Sequence, residues 1–211
     1  MKAWHFTTQT IPQHRQQRAW RDVMGRLRLP VGKLSGTGGF RGAVSCIESP
    51  LGMQFALVDA EPHEIRGRYL DQPAAIWLTL LIAGDARLSY DERTIDLMPG
   101  DIAYGPTFAD ATLSFLTDFR QLFVNVQRLT LNPRVFAPLS LRLGCLRGQS
   151  GVNRVLSSML HSLAAVIDEI SPEDLRPVEL SLTEFLITAL GGEKETFGDR
   201  KSTRLNSSHR L

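Results

Sequence analysis

Residues Ile76 to Pro106 constrain the fold most, because short strand-like runs follow one another there with a turn between each pair. Ile-Trp-Leu-Thr-Leu-Leu-Ile (Ile76 to Ile82) is too short, and too rich in β-branched and aromatic residues, for a helix, and it stops at Ala83-Gly84-Asp85. Ala86 to Tyr90 alternates apolar with polar side chains and stops at Asp91-Glu92-Arg93. Thr94 to Leu97 then runs into Met98-Pro99-Gly100-Asp101 and out along Ile102-Ala103-Tyr104. Pro99 presets the φ of the second residue of a tight turn, and Gly100 supplies positive φ at the third. Turns this closely spaced require an antiparallel sheet that folds over or closes.

The same pattern extends on both sides. Phe40 to Ile47 and Met53 to Ala60 flank Ser49-Pro50-Leu51-Gly52, a hairpin signal, and Thr112 to Phe115 and Arg120 to Val126 add two further runs. About eight short strands with turn residues between them predict a sandwich or a small barrel, and a barrel of that strand number can hold one small ligand. The Gly-rich piece from Gly32 to Gly39 is not a phosphate loop: it lacks the Gly-Lys-Ser/Thr ending, and no helical pattern follows it.

Helical periods bracket the strands. After Pro12, residues Trp20, Val23, Met24 and Leu27 recur on one face, and the pattern ends near Leu29-Pro30. Trp20 reads as a core anchor. Beyond Pro133, Val152, Leu156, Met159, Leu163, Val166 and Ile170 follow the spacing of a heptad seam, widened by Val155, Leu160 and Ile167. Ser171-Pro172-Glu173-Asp174 carries a capping-box start, and a second helix over about Val178 to Leu190 stops at Gly191-Gly192. The fold class expected is α+β: an antiparallel barrel of about eight strands, an N-terminal helix and a C-terminal antiparallel helix hairpin. The expected division is 1–135 for helix and barrel, 136–192 for the helical region, and 193–211 for a disordered or non-native tail. Residues 199–211 change composition abruptly, read like a translated sequencing adapter, and are set aside.

Charge and cysteine content exclude several functions. The formal charge is +2, but Lys201, Arg204 and Arg210 lie in the last eleven residues; without them 21 basic residues face 22 acidic ones. A neutral body has no general phosphate-binding footprint and no basic stripe for DNA. Cys46 and Cys145 fit no metal or redox spacing. With no signal-peptide pattern and no apolar run of about 18 residues, the expectation is a cytoplasmic protein with reduced thiols and no membrane segment.

An ordered set of motifs points further. Trp20-Arg21, Phe40-Arg41-Gly42, Pro50-Leu51-Gly52, His63-Glu64-Ile65-Arg66, the apolar strand ending at Gly84, Leu97-Met98-Pro99-Gly100-Asp101 and Leu122-Phe123-Val124-Asn125-Val126-Gln127-Arg128-Leu129 come in the order and spacing of an AraC/XylS-type regulator. The chain from about Thr7 to Leu190 resembles the amino-terminal effector domain of that family. Gln127 departs from it, since proline is common there. The resemblance implies a cupin-type β-barrel that binds a small effector, helices used for dimerisation, and a helix-turn-helix pair that binds the promoter. That last part is expected to be missing after Gly191-Gly192, so DNA would be a partner only through a C-terminal domain this chain lacks.

Chemistry of other kinds is sparse. Cupin enzymes hold metals through several converging histidines, but only His63 of the five histidines lies among the strands, and no His-x-His occurs. With Glu61 and Glu64 it reads as an exposed polar strand end. No nucleophile elbow is present. No catalytic residue, metal or cofactor is therefore expected. Effector-binding candidates are His63, Arg66, Trp77, Thr79, Tyr90 and Tyr104, with Arg68 beside them, Arg66 being a possible clamp for an effector carboxylate. The effector expected is a small molecule of unknown identity, an aromatic or carboxylate compound among the options. Val152, Leu156, Met159, Leu163, Val166 and Ile170 are the dimer-interface candidates for a homodimer, although the same seam equally suits packing on its own barrel. Two rival readings stay open: a cupin-fold metal-dependent enzyme, and a stand-alone dimerising interaction module.

Overall fold

The computed structural model describes residues 3–34, 38–67, 76–107, 109–126, 143–186 and 188. Arg68, the residues after Val126 up to 142, Gly191-Gly192 and the tail 193–211 lie outside the described residues.

Among the described residues twelve strands form two antiparallel sheets. Seven strands make the larger: β1 (Trp4–Thr7), β3 (Gly42–Glu48), β4 (Gln54–Ala60), β11 (Phe119–Val126), β6 (Ile76–Ala83), β9 (Ile102–Pro106) and β12 (Gly144–Leu146), in that spatial order. The smaller has the order β2 (Val31–Leu34), β5 (His63–Gly67), β10 (Ala111–Phe115), β7 (Ala86–Tyr90) and β8 (Arg93–Leu97). Every expected strand run is present. The four not expected, β1, β2, β5 and β12, are short or polar and gain their order from pairing: Trp4 lies opposite Cys46, for example, and Ile65 opposite Leu113.

Among the described residues three α-helices accompany the sheets: α1 (Gln13–Arg26), α2 (Gly151–Val166) and α3, residues 175–186. They sit on different layers. Trp20, Val23, Met24 and Leu27 of α1 belong to the core enclosed between the sheets, with Phe40, Val58, Leu88, Leu113 and Phe123. Gly42 permits this, since a Cβ there would lie 2.5 Å from the Trp20 ring. Leu156, Leu160 and Leu163 of α2 and Leu182 and Leu186 of α3 instead cover the outer face of the large sheet, against Phe55, Leu78, Leu80, Leu122 and Val124. The central strands are thus buried on both faces. That is why β6 and β11 read as apolar runs rather than as alternating ones.

Turn chemistry follows the expectation at the Pro-Gly-Asp corner. The Asp101 N–H donates to the Met98 carbonyl at 2.9 Å, and Gly100 has φ of +94°. The corner is also a junction. The Asp101 carboxylate, 1% exposed, accepts from the Met98 and Gly148 N–H groups and from Arg147, while the Ser157 hydroxyl of α2 donates to the Gly100 carbonyl.

Cys46 is buried in β3 and Cys145 is half-buried. Burial, and after it the Glu48 carboxylate, pushes the Cys46 thiol up to about 12. At pH 8 only about one such thiol in ten thousand is a thiolate. A disulfide reagent is therefore expected to label Cys145 alone in the folded protein and both cysteines in denaturant, with the count read by absorbance. Two fast equivalents in the native state would refute this.

Candidate functional site

The site follows from strand parity in β6 and β11. In β11, Leu122, Val124 and Val126 face the helices, so Gln121, Phe123 and Asn125 face inward. In β6, Leu78 and Leu80 face the helices, and Trp77 and Thr79 face inward. These inward side chains line a cavity between the sheets, closed on other sides by Leu27, Leu29, Ile65, Leu88 and Leu113. It sits at the end where β5 stops at Gly67, β10 begins at Ala111 and Thr107 follows β9. The cavity has a volume of about 50 Å³. One water needs about 10–15 Å³ on the same measure, so the enclosed part suits a compact guest.

The walls are apolar except for a few uncharged groups. The Thr79 hydroxyl donates to Gln121 Oε1 at 2.5 Å, leaving Gln121 Nε2 without a partner. Thr107 Oγ1 and Asn125 Oδ1 are also buried and unpartnered. Gln121 is 1%, Asn125 7% and Thr107 8% exposed. Unpaired buried polar atoms each cost about 1–3 kcal/mol, so three lining one cavity mark a place where something else supplies the partners. Apolar walls with a few placed polar groups are the usual make-up of a small-molecule site.

Arg28 stands at the rim. It is exposed, and its φ of +61° is the left-handed conformation of a helix stop. The Arg28 N–H donates to the Gly25 carbonyl and the Leu29 N–H to the Met24 carbonyl, the two bonds of a Schellman ending for α1. Glycine usually fills that position. An arginine held there costs about 1 kcal/mol and sets the side chain beside the mouth.

Of the residues singled out from sequence, Trp77 and Thr79 line this cavity. The others lie elsewhere. Tyr104 faces the opposite way, into the core beneath the helices, because parity in β9 alternates from Ala103. Tyr90 is at the tip of the β7–β8 hairpin. Arg66 is on the outer face of β5, exposed and paired with Glu64 at 3.2 Å, so it is no clamp for a buried carboxylate. His63 is not an exposed strand end: it is 2% exposed and ringed by Trp20, Phe40, Phe115 and Phe119 at centroid distances of 5.2–5.8 Å.

The sequence reading missed Gln121, Asn125, Thr107 and Arg28. A signal for the first two existed. In Gln-Leu-Phe-Val-Asn-Val the two amides stand at the same parity within an otherwise apolar run. Polar groups on one face of a strand covered on both sides must meet something polar.

The heptad seam resolves into two sides. Leu156 (0% exposed) and Leu163 (4%) pack on the barrel, with Val152, Met159 and Ile170 partly buried against the same core. Val155 and Val166, at 52% and 40%, face outward. Leu156 and Leu163 thus pack on the chain's own barrel, the alternative that the sequence left open for this seam.

A barrel of two antiparallel sheets enclosing an apolar pocket, with helices laid on its outer face, is a cupin-like α+β fold. The family model for the AraC-binding-like domain matches residues 20–190. The chain belongs to that family, the ligand-binding domains of AraC-type transcription regulators. Among solved structures it is similar to that of CuxR, an AraC-like transcriptional activator, with a TM-score of 0.69 at 15% identity over 90% of this chain and 70% of that one. More distant likenesses include a cupin superfamily protein from Desulfitobacterium hafniense (TM-score 0.31, 22% identity, 36% of this chain and 67% of that one). Another is ectoine synthase from P. lautus (TM-score 0.35, 12% identity, 40% and 63%). No curated protein sequence matches. Among the described residues no helix is long and apolar enough to cross a membrane.

Proposed function

We propose that this chain is the effector-sensing and dimerisation region of an AraC-type regulator, and that the effector occupies the cavity bounded by Trp77, Thr79, Gln121, Phe123 and Asn125. The observation that carries this reading is the convergence of three unpartnered buried polar atoms on one apolar pocket. The reading is non-enzymatic: the buried polar groups there are two hydroxyls and two amides, none of which ionises near neutral pH.

The same strands carry the signal. Gln121, Phe123 and Asn125 face the cavity while Leu122, Val124 and Val126, one residue away each, touch the core under α2 and α3. A guest that prefers one arrangement of β11 shifts the population of helix positions by its difference in affinity between the two. In a complete regulator that shift alters how DNA-binding units meet their half-sites.

A stability measurement tests the reading. A ligand at about 100 times its Kd adds about 2.7 kcal/mol. Screening a chemically mixed library is expected to give compounds that raise the melting temperature of the wild type but not of Ala111→Phe, whose ring fills the cavity. If no compound separates the two proteins, the sensor reading fails.

For dimerisation the surface that fits is the outward side of α2. Val155, Ser162 and Val166 recur at intervals of 7 and 4 residues, the pitch of a helix–helix seam, and the occupant is a second copy about a two-fold axis. Val155→Glu with Val166→Glu is expected to halve the mass measured by light scattering while the circular dichroism is kept. An unchanged mass retires the interface.

A further inference from the structure

The cavity's donors and acceptors narrow the effector's chemistry, given the sensor reading above. Gln121 holds one end of its amide against Thr79 and turns the other into the cavity. Because amide oxygen and nitrogen can exchange places, what holds in either orientation is that one unsatisfied amide atom faces the guest. Asn125 offers an unpartnered amide atom nearby on the same strand face, and Thr107 a hydroxyl that both donates and accepts. The inventory contains both donors and acceptors and no formal charge. Among the described lining residues only Arg28 is charged, and it lies exposed at the rim.

An ion placed in the interior would find no counter-charge among the described residues. Burying an unpaired carboxylate or ammonium is strongly unfavourable, whereas an uncharged group that donates and accepts satisfies polar atoms otherwise left unpaired. Trp77 and Phe123 give the guest two aromatic walls, and the Trp77 ring extends over Gly105, where a Cβ would stand 3.2 Å from it. A flat apolar body suits such walls.

We infer that the effector is a compact uncharged aromatic compound bearing one group that both donates and accepts a hydrogen bond, a hydroxyl or a primary carboxamide, and that carboxylates and amines of the same shape are excluded. The experiment compares near-isosteres on the full chain by titration calorimetry: benzamide and benzyl alcohol as neutral probes, benzoate as anion and benzylammonium as cation. The neutral probes are expected to bind at least tenfold more tightly than either ion, competing with any compound found by the thermal screen. Asn125→Leu, which replaces an unpartnered polar atom with an apolar group and so keeps the fold, is expected to weaken benzamide at least tenfold and to strengthen ethylbenzene. Benzoate or benzylammonium binding as tightly as the neutral pair overturns the inference and leaves the sensor reading intact. Equal benzamide affinity in wild type and Asn125→Leu also overturns it. If neither these probes nor any library compound binds, the sensor reading falls and takes the inference with it.

Discussion

Glu179→Ala is expected to destabilise the protein by about 3 kcal/mol and to free α3 from the barrel. Glu179 sits on α3, is 1% exposed, and turns its carboxylate into the hairpin between β3 and β4. The carboxylate accepts from the Ser49 hydroxyl, from the Met53 N–H at 3.0 Å and from the Leu51 N–H at 3.3 Å. The Ser49-Pro50-Leu51-Gly52 turn is thus held by a residue nearly 130 positions away in the chain. Hydrogen bonds to a charged group contribute about 1.5–3 kcal/mol each, and the Ser49 and Leu51 donors have no substitute once the carboxylate is gone. Met53 retains the Ser49 hydroxyl at 2.9 Å, which is why the loss is not larger. Glu179→Gln keeps one acceptor oxygen and is expected to lose about half as much. Glu184→Ala, exposed on the same helix, is the control and is expected within about 0.5 kcal/mol of wild type. Urea unfolding gives the stabilities, and hydrogen exchange shows whether α3 opens without the sheets. A Glu179→Ala protein as stable as the control would remove this residue as the latch between helix and barrel.

The latch also marks where sequence reasoning stops. The Pro-Gly-Asp turn, the apolar strands and the heptad spacing are local signals, and the structure carries each of them. Pairings between distant segments are not local. Nothing near Glu179 announces Ser49, and nothing in Trp4–Thr7 announces its place beside β3. Parity was the larger gap for the site. A strand apolar on both faces gives no clue to which side is inward until a second layer covers one of them, so Trp77 and Tyr104 read alike in sequence although one lines the cavity and the other lies under the helices. His63 misled for a related reason. A polar stretch around it suggested solvent, whereas alternation in β5 turns His63 and Ile65 inward and leaves Arg66 outside.

That histidine makes stability depend on pH. Its Nδ1 is 2.9 Å from the Glu61 carbonyl, an acceptor only, so the neutral ring carries its proton there and leaves Nε2 bare among the aromatic rings. Burial lowers the pKa to about 4; the Glu61 bond opposes this and the nearby Arg21 charge adds to it. In the unfolded chain the ring titrates near 6.5. Above pH 6.5 both states are neutral and the histidine contributes no pH dependence. Below it the unfolded chain takes up a proton that the folded protein refuses, so stability falls by about 1.4 kcal/mol per pH unit down to about pH 4, roughly 3 kcal/mol in all. Carboxylates titrate near the lower end of that window, which makes the difference between wild type and His63→Leu the quantity to read. Urea unfolding from pH 7.5 to 4.5 is expected to show the wild type losing stability more steeply than His63→Leu, the gap opening below pH 6.5 whatever the offset between the two at neutral pH. Parallel curves, or a variant that loses stability faster, would mean that the ring accepts its proton while the barrel stays folded.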